Sequence, residues 1–337
     1  MRTRLTDVLA GPCCRLLASA VVATLLATGA GAAELGLITG GEKGTYYQFG
    51  LNLRQLLQAD GTTLSVHASK GSIENIYAVY QRPNTQLGIV QSDVLAFVTR
   101  VQSDPVLKRI AKKTRMVFPL YNEEVHLLGR RELRDFDDLA DRRVAVGREG
   151  SGTYLTARLL FKLADVAPKE MASIDTDEAL AELKAGRIDA MFYVTGYPVK
   201  LFTDHVSAAD DLALIPITNK SITEFYVPAE IPAQTYAWQP AAASTVAVKA
   251  VLVSFDFRGQ NCDRVGRFAR TVSERLEWLA RNGHPKWRAV DLNAPLKGWE
   301  QYDCVRKHLG KPVTAAAGPA RPDANPVMEA IKTLLAE

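Results

Sequence analysis

Two glycine-rich segments, TGGEKGT at 39–45 and GREGSGT at 147–153, are where backbone chemistry concentrates in this sequence. Each follows a short apolar run and precedes residues at helical spacing, so each reads as a turn that opens a helix. The first turn of a helix carries N–H groups without intrahelical partners and the positive end of the helix dipole. A small anion, carboxylate or phosphate, is held well there. In the second segment Ser151 and Thr153 add hydroxyl donors. Either turn alone is also what an ordinary strand-to-helix connection looks like; two of them, in different halves of the chain, point to an anion cleft.

The same turns do not fit the common enzyme patterns. GREGSGTY lacks the Gly-Lys-Ser/Thr that carries a phosphate-binding loop to terminal phosphates and magnesium, and in TGGEKG the first glycine of the dinucleotide fingerprint is replaced by Thr39. No serine sits in a G-x-S-x-G elbow and no H-E-x-x-H occurs. The five histidines are scattered, none at ligand spacing from a cysteine, so neither a metal nor a cofactor is expected.

Strand and helix patterns alternate around these turns. Leu35 to Thr39, Leu64 to Ala68 and Leu87 to Val90 read as buried strands, and Tyr46 to Leu57 as a helix. A second helix is expected from Ile73, with Ser72 as its cap. Gln91-Ser92-Asp93 follows the third strand. From Val117 to Gly129 the apolar pattern is interrupted by Pro119, Tyr121 and two glutamates, which suits a strand leaving one lobe for another. The alternation then restarts, with a strand at Arg143 to Val146, a helix at Thr153 to Ala164 and a strand at Ile188 to Val194 that ends in Thr195-Gly196-Tyr197-Pro198. Repeated strand–loop–helix units imply parallel sheets with covered faces, and ligands bind beyond the carboxyl ends of such strands. A proline-rich crossing follows Tyr226, and the apolar run Thr245 to Phe255 reads as the return strand. One amphipathic helix is expected over 263–282, an extended segment over 311–326 and a short helix over 327–335.

The N-terminus sets the compartment. Arg2, Arg4 and Arg15 precede the apolar run LLASAVVATLLA, and Gly31-Ala32-Ala33 offers a cleavage point, the layout of a secretory signal over residues 1–33. The run is too short to span a bilayer. Without that segment, which holds three basic residues and one acidic one, 38 basic and 36 acidic side chains remain, a balance that does not suit nucleic acid. Cys262 and Cys304 are then the remaining cysteines, expected to pair in an oxidising compartment; the alternative is two buried thiols. A disulfide there restrains the unfolded chain by about 4 kcal/mol on the loop-entropy account. A mature chain of roughly 300 residues exceeds what one hydrophobic core serves, so two lobes are expected.

In order along the chain, TGGEKGTYYQFG, KGSIENI, LGIVQSDV, the strand ending HLLGR, DLADRRVAVGREGSGT and AGRIDAMFYVTGYP resemble the motifs of the TAXI family, solute-binding proteins of tripartite ATP-independent periplasmic (TRAP) transporters. The similarity covers roughly Leu35 to Pro198, and GHPKW at 283–287 and Gly298-Trp299 also resemble the C-terminal part of such proteins. The resemblance implies an α/β, type II periplasmic-binding-protein-like fold: two lobes, each with a mostly parallel sheet covered by helices, joined by crossing strands. Lobe 1 would comprise 34–122 and 245–337, and lobe 2 123–244. It implies a periplasmic receptor that is not an enzyme, acts as a monomer, captures a small anionic solute such as glutamate, 2-oxoglutarate or a similar dicarboxylate, and hands it to a TRAP-type permease. A sensory partner in place of the permease, or a secreted enzyme on the same scaffold, are the alternatives. Carried onto this sequence, the ligand contacts are Gly44, Thr45 and Tyr46, then Asn75, Gln91 and Ser92, then Ser151, Gly152 and Thr153, and finally Tyr193 and Gly196. The first turn departs from the family's run of small residues at Glu42, Lys43 and Gln48. Lys43 either pairs with a second ligand carboxylate or points, with Glu42, into water.

Overall fold

A computed structural model describes residues 34–94, 98 and 105–311. The expected signal segment, most of 311–326 and the helix expected at 327–335 lie outside these residues. The first apolar runs become β1 (Glu34–Ile38), β2 (Thr63–His67) and β3 (Leu87–Gln91), with α1 (Thr45–Gln58) and α2 (Ser72–Gln81) between them. β1 pairs parallel with both β2 and β3, as the alternation required. After α3 (Pro105–Lys113) comes β4 (Thr114–Arg130), a 17-residue strand. Beyond it lie β5 (Arg143–Ala145), α4 (Gly152–Ala164), β6 (Glu170–Ala172), α5 (Thr176–Lys184) and β7 (Ala190–Thr195). Here β5 pairs parallel with both β6 and β7. The chain continues through α6 (Lys200–His205), β8 (Leu212–Leu214), α7 (Lys220–Thr223), β9 (Val227–Ile231) and β10 (Ala243–Phe255). It then runs through α8 (Gln260–Glu274), α9 (Leu276–Asn282) and α10 (Asp303–His308).

The strand order is β2-β1-β3-β10-β4-β7-β5-β6, with β8 on β4 and β9 on β10. Pairing is therefore unbroken through the two long antiparallel strands that cross between the halves. The switch is local: β4 pairs with β10 up to Glu124 opposite Ala247, and with β7 from Glu124 opposite Thr195 onward. On the other crossing strand, β10 faces β9 up to Ala247 and β3 from Ala250. The architecture is thus the expected two-lobed α/β arrangement, each half with its own core. Leu37, Phe49, Phe118 and Trp287 belong to one, and Val144, Leu160, Phe192 and Ile215 to the other. Burial of such side chains, worth about 1.5–3 kcal/mol each, holds each half together.

Three local expectations are corrected. Ser72 is the first residue of α2 and not its cap; the cap position is Gly71, whose φ of 120° a residue with a Cβ rarely adopts. The single helix expected over 263–282 is two helices, broken at Arg275 (φ −114°, ψ 17°). Part of the proline-rich crossing is an edge strand, β9, where Pro228 leaves no central ladder short of a donor. Cys262 of α8 and Cys304 of α10 form a disulfide with Cα atoms 5.5 Å apart, fixing α10 to the first core.

Candidate functional site

Three helix N-termini meet where the halves face each other. In the first half, Gly44 precedes α1 without a side-chain cap, so no side chain occupies the N–H groups of that turn. Thr45 turns across the gap: its Oγ1 donates to the carbonyl of Gly196 (2.5 Å) and accepts from Thr195 Oγ1 (3.2 Å). Gly44 lies so close to Tyr193 that a Cβ would stand 2.7 Å from the phenol oxygen. In the second half, Ser151 caps α4 by accepting from the N–H of Tyr154 (3.1 Å), and Thr153 Oγ1 accepts from the N–H of Val194 (3.1 Å). At α2, the N–H of Ile73 donates to the carbonyl of Gly150 (3.3 Å), a direct bond between the halves. The structure therefore presents the molecule closed.

Between these turns is a cavity of about 100 Å³. Of the residues expected at the ligand, Gly44, Thr45, Tyr46, Gln91, Ser151, Gly152, Thr153 and Tyr193 line it. Three do not. Asn75 is fully buried behind the wall, where its amide donates to the carbonyls of Thr39 and Ile89 and accepts from Ser69. Ser92 accepts from the N–H of Lys249 (3.2 Å) on the crossing strand. Gly196 contributes the carbonyl that Thr45 reaches and packs against Tyr121, where a Cβ would stand 2.6 Å away. Lys43 faces outward and joins Asp177 across the halves in an exposed ion pair (2.6 Å).

The cavity also holds residues that sequence reading passed over. Its cations are Lys70 and Arg148, and its acids are Glu123 and Asp175, with Arg148 paired to Asp175. Glu123 is the unusual one. It is 2% exposed, and its one hydrogen-bond partner among the described residues is the Tyr46 phenol, which donates to Oε2 at 2.6 Å. Burial away from water pushes its carboxyl well above the usual carboxylate range, and Asp93 and Glu124 add to that. The Tyr46 phenol is likewise pushed up by burial and then by Glu123, so it stays a donor. A signal for Glu123 was present in the sequence, since paired glutamates interrupt an otherwise apolar crossing strand.

Further back, Asp93 accepts from Thr156 of α4 (3.0 Å) and from Tyr226 (3.4 Å), a partly buried carboxylate between the halves whose desolvation pushes it up to about 6. At the crossing point Lys286 donates to both oxygens of Glu124 (2.6 and 2.7 Å) and stands 3.7 Å over the Tyr197 ring. Among the described residues no cluster of His, Cys, Asp or Glu is arranged to hold a metal ion, and no helix is long and apolar enough to cross a membrane.

Residues 37–297 match the profile of the NMT1-like family. The periplasmic binding protein BugD has a TM-score of 0.51 and 10% identity, with 91% of this chain and 95% of that one covered. MatC from Rhodopseudomonas palustris, with bound malate, has a TM-score of 0.50 and 16% identity over 90% and 97% of the two chains. A Bordetella bronchiseptica protein has a TM-score of 0.50 and 14% identity over 90% and 98%. At such identities the likeness establishes the fold, which is that of the periplasmic binding proteins.

Proposed function

Starting from a chain that belongs to the NMT1-like family and has the fold of periplasmic solute-binding proteins, we propose that it is the extracytoplasmic receptor for a small carboxylate. The solute, of the glutamate, 2-oxoglutarate or dicarboxylate type, is captured between the lobes and released unchanged. The observation that carries this is the convergence of the α1, α2 and α4 N-termini on one polar cavity containing Lys70 and Arg148. Helix N-termini and fixed cations favour an anion, and MatC, of the same fold, was solved with malate bound.

In this reading lobe 1 is 34–122 with 245–337, and lobe 2 is 123–244. The lobes rotate about β4 and β10 near Glu124 and Ala247, where both strands exchange partners. Ligand favours the closed form because the wall is complete only when the turns from both lobes meet, which is population shift by differential affinity. Gly44, Thr45, Tyr46, Gln91, Ser151, Gly152, Thr153 and Tyr193 are the direct contacts. Asn75, Ser92 and Gly196 support them from behind through the hydrogen bonds described. The resemblance of six motifs to those of TAXI proteins supports a periplasmic, signal-cleaved monomer that docks on a TRAP-type permease.

A thermal-shift screen of refolded, ligand-stripped protein against small carboxylates, amino acids, sugars and phosphate esters tests the function. A ligand at one hundred times its dissociation constant stabilises the native form by about 2.7 kcal/mol. A hit among small carboxylates is expected. Stabilisation by sugars or phosphate esters alone, or consumption of the hit compound, overturns the proposal.

A further inference from the structure

The donors of the cavity are accounted for by a carboxylate, but two of its acceptors are not. Glu123 has one oxygen satisfied by Tyr46, and no hydrogen bond reaches the other among the described residues. Among the described residues no Lys or Arg is ion-paired with it: Lys286 is held by Glu124 and Arg148 by Asp175, and Lys70, which also lines the cavity, is exposed. Gln91, 2% exposed and also lining the cavity, has an Oε1 with no partner. Buried acceptors without donors, and buried carboxylates without cations, are expensive unless something supplies the missing partner. Both lie on the wall of a ligand cavity.

We propose that Glu123 is a ligand-contacting, specificity-determining residue whose free oxygen pairs with an ammonium group on the same small molecule whose carboxylate the helix N-termini hold, with Gln91 Oε1 as a second acceptor. This rests on the carboxylate-receptor reading and narrows it: the solute is an amino acid, and the matching keto acid or plain dicarboxylate is discriminated against. The charged and titratable groups around Glu123 are Tyr46, Tyr121, Tyr193, Asp93, Glu124 and Lys286, with Lys70, Arg148 and Asp175 lining the same cavity. Burial, with Asp93 and Glu124 adding to it, outweighs Tyr46 and Lys286 and holds the carboxyl well above the usual carboxylate range. An arriving ammonium ion favours the ionised carboxylate and so lowers its affinity for a proton.

Calorimetric titrations with matched pairs test this: glutamate against 2-oxoglutarate, aspartate against succinate, and alanine against pyruvate. At least one amino acid is expected to bind about 30-fold or more tightly than its partner, the scale of a desolvated charge pair. Repeating that titration over a range of pH in buffers of different ionisation enthalpy is expected to show proton release linked to binding in the wild type that is lost in Glu123→Gln. The variant is expected to lose most of the preference for the amino acid over its partner compound. Equal affinity for the amino acid and its partner in every pair, which needs no variant to read, overturns the inference and leaves the carboxylate site standing. So does an undiminished preference in Glu123→Gln. Failure of all six compounds to bind the wild-type protein removes the carboxylate site itself.

Discussion

Glu123 and Glu124 are neighbours on β4, and the alternation of a strand sends them to opposite faces. Glu124, 4% exposed, meets Lys286 from the 283–287 segment and ties the crossing point to the C-terminal part of the chain. Burial pushes its carboxyl up and the Lys286 ammonium down, and each partner opposes the other's shift. Glu123, equally buried, meets a phenol and an open cavity. The same residue type at the same depth is a strut on one face and an unfilled acceptor on the other. Burial alone does not mark function; the presence or absence of a partner does.

The largest effect expected from this contrast comes from the strut. Lys286→Met leaves Glu124 buried without its cation and should lower stability in urea unfolding by about 3–5 kcal/mol, whereas Glu123→Gln, which keeps an oxygen that accepts from Tyr46, should cost much less. Equal losses in the two variants would erase the distinction.

The next effect is a pH dependence. Asp93 is held near 6 in the folded protein against an ordinary value of 3.8, so the folded state binds more protons than the unfolded one between those values. Its contribution is fullest below the unfolded value and is lost as pH rises to 6, up to about 3 kcal/mol at about 1.4 kcal/mol per pH unit. Asp93→Asn should remove this decline between pH 4 and 6 in the empty protein. Glu123→Gln should remove a further decline of the same sign, because Glu123 is displaced in the same direction.

Smaller effects separate the two turns. A Cβ on Gly152 would stand 1.7 Å from Gln91 Oε1, so Gly152→Ala should force the halves apart and weaken ligand binding by about 1–3 kcal/mol while each core stays intact. Ser151→Ala removes the α4 cap and should cost about 1 kcal/mol in thermal stability. The α1 turn has no side-chain cap to lose. Lys43→Ala breaks an exposed pair and should change stability by about 0.5 kcal/mol or less, vanishing at high salt.

Much of the fold was legible in the sequence because its signals are local. Glycine turns preceding helical spacing marked α1 and α4, and an apolar run longer than a lobe's strands need marked β10. The three-residue edge strand β6, Glu-Met-Ala, carries no such pattern. The break at Arg275 involves neither glycine nor proline, so nothing in the residue types announced it. In the site, helix N-termini were legible because their chemistry belongs to the backbone. Asn75 was not, since a side-chain amide serves a ligand or a neighbouring strand equally well, and here it bonds Thr39 and Ile89. The role of Glu123 depends on which face of β4 meets the cleft, and that register is set by β10 and β7, residues far away in sequence.

The central claim is that two lobes close on one small carboxylate. Small-angle X-ray scattering of the ligand-stripped protein, alone and saturated with the compound that stabilises it most, tests this directly. The radius of gyration should fall on binding, and the bound profile should match the closed arrangement in which Ile73 meets Gly150 and Thr45 meets Gly196. A saturating ligand that leaves the profile unchanged from an already open or already closed form would contradict it.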